Sequence, residues 1–553
     1  MSNPNIQDSQ PKKKFNWTIA GIAGAVIVGG GAYVAWQFFG GKELTPLQAT
    51  ELIPKDVWIA GYISTDSSDW SKLDKFGTPK AREIITKGID SFKKQVLEPE
   101  KINFEQDLQP WVGNVVFAFL PDEKTGKTGE NVLLIVGIKN KLKALDFANK
   151  LKSQSKTESK ESDYKGVTLV ETKSNNGGTT NYAVVGDSIV LTSDRKNLEK
   201  AIDTLKGAPS IVDNPETKEL FAKGSDIANP VAKFWIADYG KLVKQMAASN
   251  PNSEQLPAEA LAQLDKVKAM EVGVGIVDTG FHFQSVAKID SSLIPPSYQS
   301  SKNKLISQLP ANTILAFNGQ GIGQNWEYIV KQFENNAQFK EGLQQMRTGF
   351  QQSMQMDLDK DFIGWMDGEF AFALVETQQG AAASYGMGGS IIFETSDRAK
   401  AENAFKKIDD LISAQGGGFI VKQEKDIEGK KVTEWSVAQQ NTTIFSHAWI
   451  DNNSLAISMG TPLNDAVSLG KPSLKDSPNF KTITASLPNN NYGYFYIDMD
   501  KFMGIANRLG LTATMPEDAN AFISSIGSLG GTATLPDKTT TKTDFLLNLK
   551  PTK

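Results

Sequence analysis

The chain has no cysteine among its 553 residues. That excludes disulfide staples, thiolate metal sites and a cysteine nucleophile, while leaving the redox compartment open. Histidine is almost absent too, with only His282 and His447. A His-rich metal site or a Ser-His-Asp triad needs imidazole in a supporting motif, and neither a G-x-S-x-G elbow nor a metal-ligand spacing accompanies either residue. Both lie in strand-like stretches, GFHFQSVAK and IFSHAWI, where a histidine is more often a surface or satisfied core residue. Excess positive charge is also lacking. The formal balance is −4, so no global field draws the body onto phosphate backbones and no nucleic-acid partner is expected.

What is present is a composition for buried cores, 40% hydrophobic and 22% charged, at a length that suits two to four domains. One run departs from it. Residues 17–39, WTIAGIAGAVIVGGGAYVAWQFF, carry no charge, and a helix of that length spans roughly 34 Å, enough for a hydrocarbon core of about 30 Å. Lys12, Lys13 and Lys14 precede the run, and Trp17, Tyr33 and Trp36 sit near its ends. This fits a transmembrane anchor with a cytoplasmic basic tail, residues 1–16, and a body on the periplasmic or thylakoid-lumenal side. A cleaved signal peptide is the alternative. It is disfavoured because the small residues Ala23 and Ala25 come too early, and Val34 and Trp36 interrupt the candidates near Ala35. Gly21, Ala25 and Gly29 recur at every fourth position and would allow close approach of a second helix, although small residues are also common in lone anchors.

The body reads as a duplication. IPKDVWIAGYISTDSSDW (residues 53–70) aligns without a gap on LPANTILAFNGQGIGQNW (309–326), pairing Pro54 with Pro310 and Trp70 with Trp326 at an offset of about 256 residues. NFEQDLQPWVGNVVFAF then resembles DLDKDFIGWMDGEFAFA, pairing Trp111 with Trp365, and further matches near 184 and 449 and near 234 and 494 keep the same order. Each copy shows strands in hairpin-like pairs with amphipathic helices between some of them. The expected fold class is therefore α+β: two homologous repeats of mainly antiparallel sheet with helices packed on it, preceded by one transmembrane helix. The copies are placed at 44–290 and 307–553, joined by a polar, proline-bearing linker at 291–306. The four tryptophans are expected to be buried landmarks of the repeats.

Several stretches imitate chemistry. Gly319, Gly321 and Gly323 follow a strand and precede a helix, but Gln324 stands where a dinucleotide fingerprint needs its third glycine, and Ile63, Thr65 and Ser67 fill the matching places in the first copy. They are read as serving a strand-to-helix turn. Gly126-Lys127-Thr128 lacks the upstream glycine of a phosphate loop, where Pro121 stands, and is read as closing a hairpin. Asp357, Asp359 and Asp361 match the first calcium-loop positions, yet Phe362 and Gly368 break the EF-hand. Because Asn103, Glu105 and Asp107 repeat the oxygen-bearing pattern, a looser cation site stays open beside the reading of a solvated approach to the tryptophan strand. TSDR occurs at 192–195 and 395–398 and reads as helix capping rather than as part of an S-x-x-K nucleophile set. No catalytic, cofactor-binding or metal residue, and no nucleotide, is expected.

A lone N-terminal anchor followed by copies opening LIPKDVWIAGYIS and QLPANTILAFNGQ, each with a later PWVGNVVFAF or GWMDGEFAFA block, resembles the bacterial family called domain of unknown function 3352, prominent in cyanobacteria. The resemblance implies an envelope or thylakoid membrane protein and supplies no catalytic residue. The leading functional expectation is a membrane-anchored, non-enzymatic interaction or assembly factor. It would contact the bilayer through residues 17–39 and another membrane or envelope protein through its body. A binding protein for a lipid, pigment or peptide is the second, favoured by a large apolar cavity; a carboxylate-based or unrecognised serine hydrolase is the third.

Overall fold

Alternation of apolar and polar residues over five to twelve positions recurs along the chain, and these segments become strands. The structure is a computed structural model, and it describes residues 44–80, 83, 102–121, 131–154, 159–173, 179–249, 258–295, 299–334 and 336–552. The expected anchor, with Gly21, Ala25 and Gly29, lies outside the described residues, as do Lys12–Lys14 and the Gly126–Thr128 turn. Among the described residues no helix is long and apolar enough to cross a membrane. The fold is α+β, with mostly antiparallel sheet and helices packed on it. It divides into two compact units, one of residues 1–66 and 85–218, the other of residues 67–84 and 219–553.

In the first unit the strands are β1 (Ile59–Ile63), β2 (Val112–Phe119), β3 (Val132–Ile138), β4 (Ser159–Tyr164), β5 (Val167–Lys173), β6 (Thr179–Val185) and β7 (Ser188–Thr192). They pair antiparallel in the order β1-β2-β3-β7-β6-β5-β4. The helix Lys141–Gln154 connects β3 to β4, and Arg195–Leu205 follows β7. Asp194 of the first TSDR caps the latter by accepting from the Lys196 amide at 2.9 Å. Trp111, Ile138, Phe147, Tyr182 and Leu191 pack as one buried cluster.

The second unit holds β8 (Ala232–Ile236), β9 (Val267–Val277), β10 (Gly280–Ile289), β11 (Thr313–Gln320), β12 (Glu369–Glu376), β13 (Met387–Glu394), β14 (Ile420–Ile427), β15 (Lys430–Val437), β16 (Thr442–Trp449), β17 (Ser454–Met459), β18 (Tyr494–Asp498), β19 (Ile526–Asp537) and β20 (Thr540–Leu549). They form one antiparallel array, β8-β9-β10-β20-β19-β18-β11-β12-β13-β17-β16-β15-β14. Its stretch from β11 to β14 has the chain order of β1 to β4 in the first unit. The helix Arg398–Gln415, capped by Asp397 of the second TSDR, again joins the third strand to the fourth. One face buries Ala316, Ala371, Ala373, Ile392, Tyr496 and Leu546 under the segments around Leu305, Leu463 and Phe480.

Sequence patterning misses β4 and β14. SKESDY and IVKQEKDI are half-exposed and charged, as befits strands paired on one side only, whose free edge is kept from pairing elsewhere by charge. Each turns into its partner through a residue and a glycine at positive φ, Lys165-Gly166 and Glu428-Gly429. Asp163 and Asp426 accept from the two glycine amides. The 291–306 segment is tied down at its second half: Leu305 and Ile306 are fully buried, and the Glu369 carboxylate accepts from the Lys304 and Leu305 amides. Apolar residues at its end give that segment a core to enter.

Candidate functional site

On the sheet face opposite that core, the register of the second unit aligns Phe283, Phe545, Gly531, Phe495, Phe317, Phe372, Ile391 and Ile457, strand after strand. Period-two alternation explains the placement: Ala316 on β11 and Ala371 and Ala373 on β12 point inward, so Phe317 and Phe372 point out. The Phe317 and Phe372 rings stack at 4.9 Å, Phe370 meets Phe372 edge-on at 5.5 Å, and Phe283 lies 6.3 Å from Phe545. At one end the helix Arg398–Gln415 covers the face around Trp365, Phe393 and Leu455. Toward β20, Met499 and Met503 cover Ile497, Leu529 and Leu547. Between these caps Phe317 stays 42%, Phe495 38%, Leu374 39% and Met459 47% exposed. With roughly 200 Å² per large apolar side chain, the four present on the order of 300 Å². That reaches the lower end of the range of about 300–600 Å² for the largest apolar patch of a typical monomer, and such patches are often functional.

The landmarks read from the sequence fall in two groups. Trp111 and Trp365 are 4% and 1% exposed. Each follows a π-helical turn, Phe104–Leu108 and Leu358–Ile363, and precedes a strand. Pro54 and Pro310 likewise make equivalent single bridges, to Ser210 and Ser473. Trp70 departs from the expected burial: it sits on the short surface helix Ser67–Ser71 and is 36% exposed. Trp326 is only half-buried, because the amphipathic helix Ile322–Phe333 turns its indole outward to donate to Asp359 at 2.6 Å.

The imitations of chemistry resolve into structure. Gly321 is the N-cap between β11 and the helix, at φ +69°. A Cβ on Gly323 would lie 2.7 Å from the Ile363 carbonyl oxygen, so glycine there serves backbone packing. Asp107 is held by Lys150 at 2.6 Å, and Asp359 by Arg347 at 2.8 Å. Asn103 and Asp357 cap the two π-helical turns. Among the described residues no group of three or more His, Asp or Glu side chains is placed to hold a metal ion.

Both histidines are strand residues bound to buried carboxylates. His282 on β10 meets Asp544 at 2.8 Å, and Gln284 donates to the same carboxylate oxygen at 2.7 Å. His447 on β16 meets Asp409 at 3.1 Å; Trp435 and Lys422 also donate to Asp409, at 2.8 and 2.9 Å. Burial pushes the Asp409 carboxyl up, but the hydrogen bonds from His447, Lys422 and Trp435 outweigh it and bring the pKa down to about 2. Glu369 behaves oppositely. Burial raises it above the usual carboxylate range against the pull of the Lys304 and Leu305 amides, Asn318 and Ser301. Among the described residues no hydroxyl is hydrogen-bonded to either imidazole. Local spacing does not reveal these groups, since Asp544 lies 262 residues from His282 and Asp409 lies 38 from His447.

The model of a family described as Protein of unknown function (DUF3352) matches residues 18–549. The chain belongs to this family. No curated protein matches the sequence. Among solved structures, three crystal forms of TP0453 are similar over part of the chain. Form III is 13% identical, covering 43% of this chain and 79% of that one at a TM-score of 0.27. Form IV is 12% identical, covering 46% and 83%, at 0.27. Form I is 12% identical, covering 44% and 79%, at 0.25. Likeness at that level carries no argument about fold or role, so the reading of this family member rests on its own geometry.

Proposed function

We propose that the chain is a membrane-anchored, non-enzymatic interaction or assembly factor. In this reading residues 17–39 form the transmembrane helix, the tail 1–16 is cytoplasmic, and the body faces the periplasm or thylakoid lumen. The halves 44–290 and 307–553 descend from one ancestral repeat. Support for duplication comes from the shared chain order of β1–β4 and β11–β14, the paired bridges of Pro54 and Pro310, and the matched π-helical turns before Trp111 and Trp365. The repeat boundary differs from the compaction boundary because β9 and β10 are sewn to β20.

A single observation carries the role: Phe317 and Phe495 stand half out of the sheet face, in register, over a packed core that does not need them exposed. We assign this aromatic row to an apolar segment of a membrane-protein partner. Its ~300 Å² is less than half of the ~800 Å² that a standard interface buries per side, so the row serves as the aromatic centre of a wider contact. The partner is placed at the membrane because the proposed anchor tethers the whole chain there. No cofactor enters this reading.

The test is photocrosslinking in native membranes with benzoylphenylalanine at 317 or 495, and at Leu142, a 75% exposed control. A discrete membrane-protein adduct from 317 and 495, absent from 142 and abolished by Phe372→Asp, is expected. Adducts with lipid, pigment or a free peptide alone would move the binding-protein reading to first place. Equal labelling from all three positions would remove the row from the argument.

A further inference from the structure

At the β8–β9–β10–β20 end of the second unit, a cavity of about 440 Å³ opens under the helix Pro215–Lys223 and the turn that follows it. Its volume lies in the range of small-molecule sites. Three strands send a lysine into its wall: Lys233 from β8, Lys288 from β10 and Lys542 from β20. These side chains are 17%, 14% and 20% exposed. Their partners are distributed unequally. Glu271 on β9 is 2% exposed and permanently engaged, accepting from Lys233 at 2.7 Å, from the Ser225 amide at 3.1 Å and from the Trp235 indole at 3.1 Å. Glu219, bound to Lys288 at 2.5 Å, and Asp226, bound to Lys542 at 2.6 Å, are 63% and 71% exposed. The lining is balanced as it stands, Lys223, Lys233, Lys288 and Lys542 against Glu271, Glu219, Asp226 and Asp537, but only Glu271 is a buried carboxylate, and Glu219, Asp226 and Asp537 stand on the rim in solvent.

This asymmetry matters because the two kinds of pair differ in strength. An exposed ion pair contributes roughly 0–1 kcal/mol, so a rim carboxylate swings away at little cost. A lysine left buried without any partner is far less tolerable. A ligand that replaces Glu219 and Asp226 must therefore be an anion, and because their departure leaves four lysines against Glu271 and Asp537, the excess of two positive charges calls for a dianion. Phosphate monoesters carry about −1.5 to −2 at neutral pH and offer three acceptor oxygens, and lysine serves phosphate as a point charge. Among the described residues the Lys542 ammonium donates to Asp226 alone, and Lys223 lines the same cavity from the last turn of its helix.

We propose that this cavity is a binding site for a phosphate monoester, held by Lys233, Lys288 and Lys542 after Glu219 and Asp226 are displaced. The phosphate belongs either to a soluble metabolite or to a phosphatidic-acid-type lipid headgroup. The site is separate from the aromatic row and stands or falls independently of it.

Isothermal titration of the full chain in detergent micelles, with glycerol 3-phosphate and with dihexanoyl phosphatidic acid, decides the matter. Saturable binding at one equivalent is expected for at least one probe, falling as pH drops below about 6, where the second phosphate proton returns. Lys288→Met and Lys542→Met should each weaken it tenfold or more. Asp226→Asn, which removes the rim charge but keeps an amide oxygen for Lys542 to donate to, should tighten it severalfold, which a purely structural ion pair would not do. Equal affinities for the two probes indicate a soluble ester, and tenfold preference for the lipid indicates a headgroup. No saturable binding of either probe by the wild type and Asp226→Asn, or binding indifferent to both lysine substitutions, overturns the proposal.

Discussion

The Asp409 carboxylate offers a quantitative check on how the second unit is held together. It is 7% exposed on the helix Arg398–Gln415, and it ties that helix to β14, β15 and β16 through Lys422, Trp435 and His447. Its pKa falls from 3.8 to about 2 on folding, and at about 1.4 kcal/mol per pH unit the group contributes roughly 2.5 kcal/mol. The sign follows from the depression. The contribution is fully present above the unfolded value near 4 and is lost as pH falls through the folded value near 2.

Asp409→Asn keeps the shape but abolishes the titration and weakens three charge-assisted bonds. Uncoupling a buried pair in this way costs about 3–5 kcal/mol at neutral pH. In urea unfolding followed by tryptophan fluorescence, the gap between wild type and variant should therefore narrow by roughly 2 kcal/mol between pH 5 and pH 2, where the folded carboxyl is half protonated. A gap that stays constant across that interval would refute the assignment of His447, Lys422 and Trp435 as donors to an ionised carboxylate.

Further outcomes follow from the same geometry. Trp111→Ala should destabilise the first unit by about 3–5 kcal/mol, the usual range for a buried aromatic truncation, as read from a shifted urea midpoint; an unchanged midpoint would remove Trp111 from the core with Phe147. Phe317→Ser with Phe495→Ser should reduce binding of an apolar fluorescent dye at a smaller cost in urea midpoint per ring than Trp111→Ala, because both rings are already 42% and 38% exposed. A large loss of stability would make the row part of the core. Protease added to the periplasmic or lumenal side of sealed membranes should digest the body and spare an epitope beside Lys12–Lys14; a protected body would reverse the proposed orientation.

Legibility in the sequence tracked how local each signal is. Val132–Ile138 and Glu369–Glu376 are strands at the bounds that their apolar runs suggest, because a run flanked by turn residues needs no distant information. SKESDY and IVKQEKDI carry no such run, since their strand state is imposed by β5 and β15. The aromatic row was hidden for a different reason: TILAF is apolar at consecutive positions, so alternation could not say that Ala316 goes in and Phe317 out. The cavity lysines and Glu271 come from strands far apart in sequence. Only Glu271, a carboxylate inside the apolar alternation of VKAMEVGVGIV, left a local trace. Large aromatics at matching repeat positions imply burial for Trp70 and Trp326, yet one lies on a surface helix and the other has a polar partner for its indole.

The proposed duplication also explains why the exposed row belongs to the second unit. The gapless alignment of Pro54 on Pro310 sets Gly61 against Phe317, and the sheet register then pairs Gly61 with Phe117 and Phe317 with Phe372. At Gly61 the ring of Phe117 lies across the missing side chain, so close that a Cβ would meet its Cζ at 2.2 Å. A glycine covered by a cross-strand aromatic buries the ring within its own sheet. In the second unit the same place holds a phenylalanine, so Phe372 has no shelf to lie on and stacks against Phe317 instead, leaving the latter outside. Gly319 beneath Phe370 preserves the self-covering arrangement two residues further along the same strand. At this aligned position, then, the first unit has a glycine beneath a cross-strand ring and the second a phenylalanine 42% exposed.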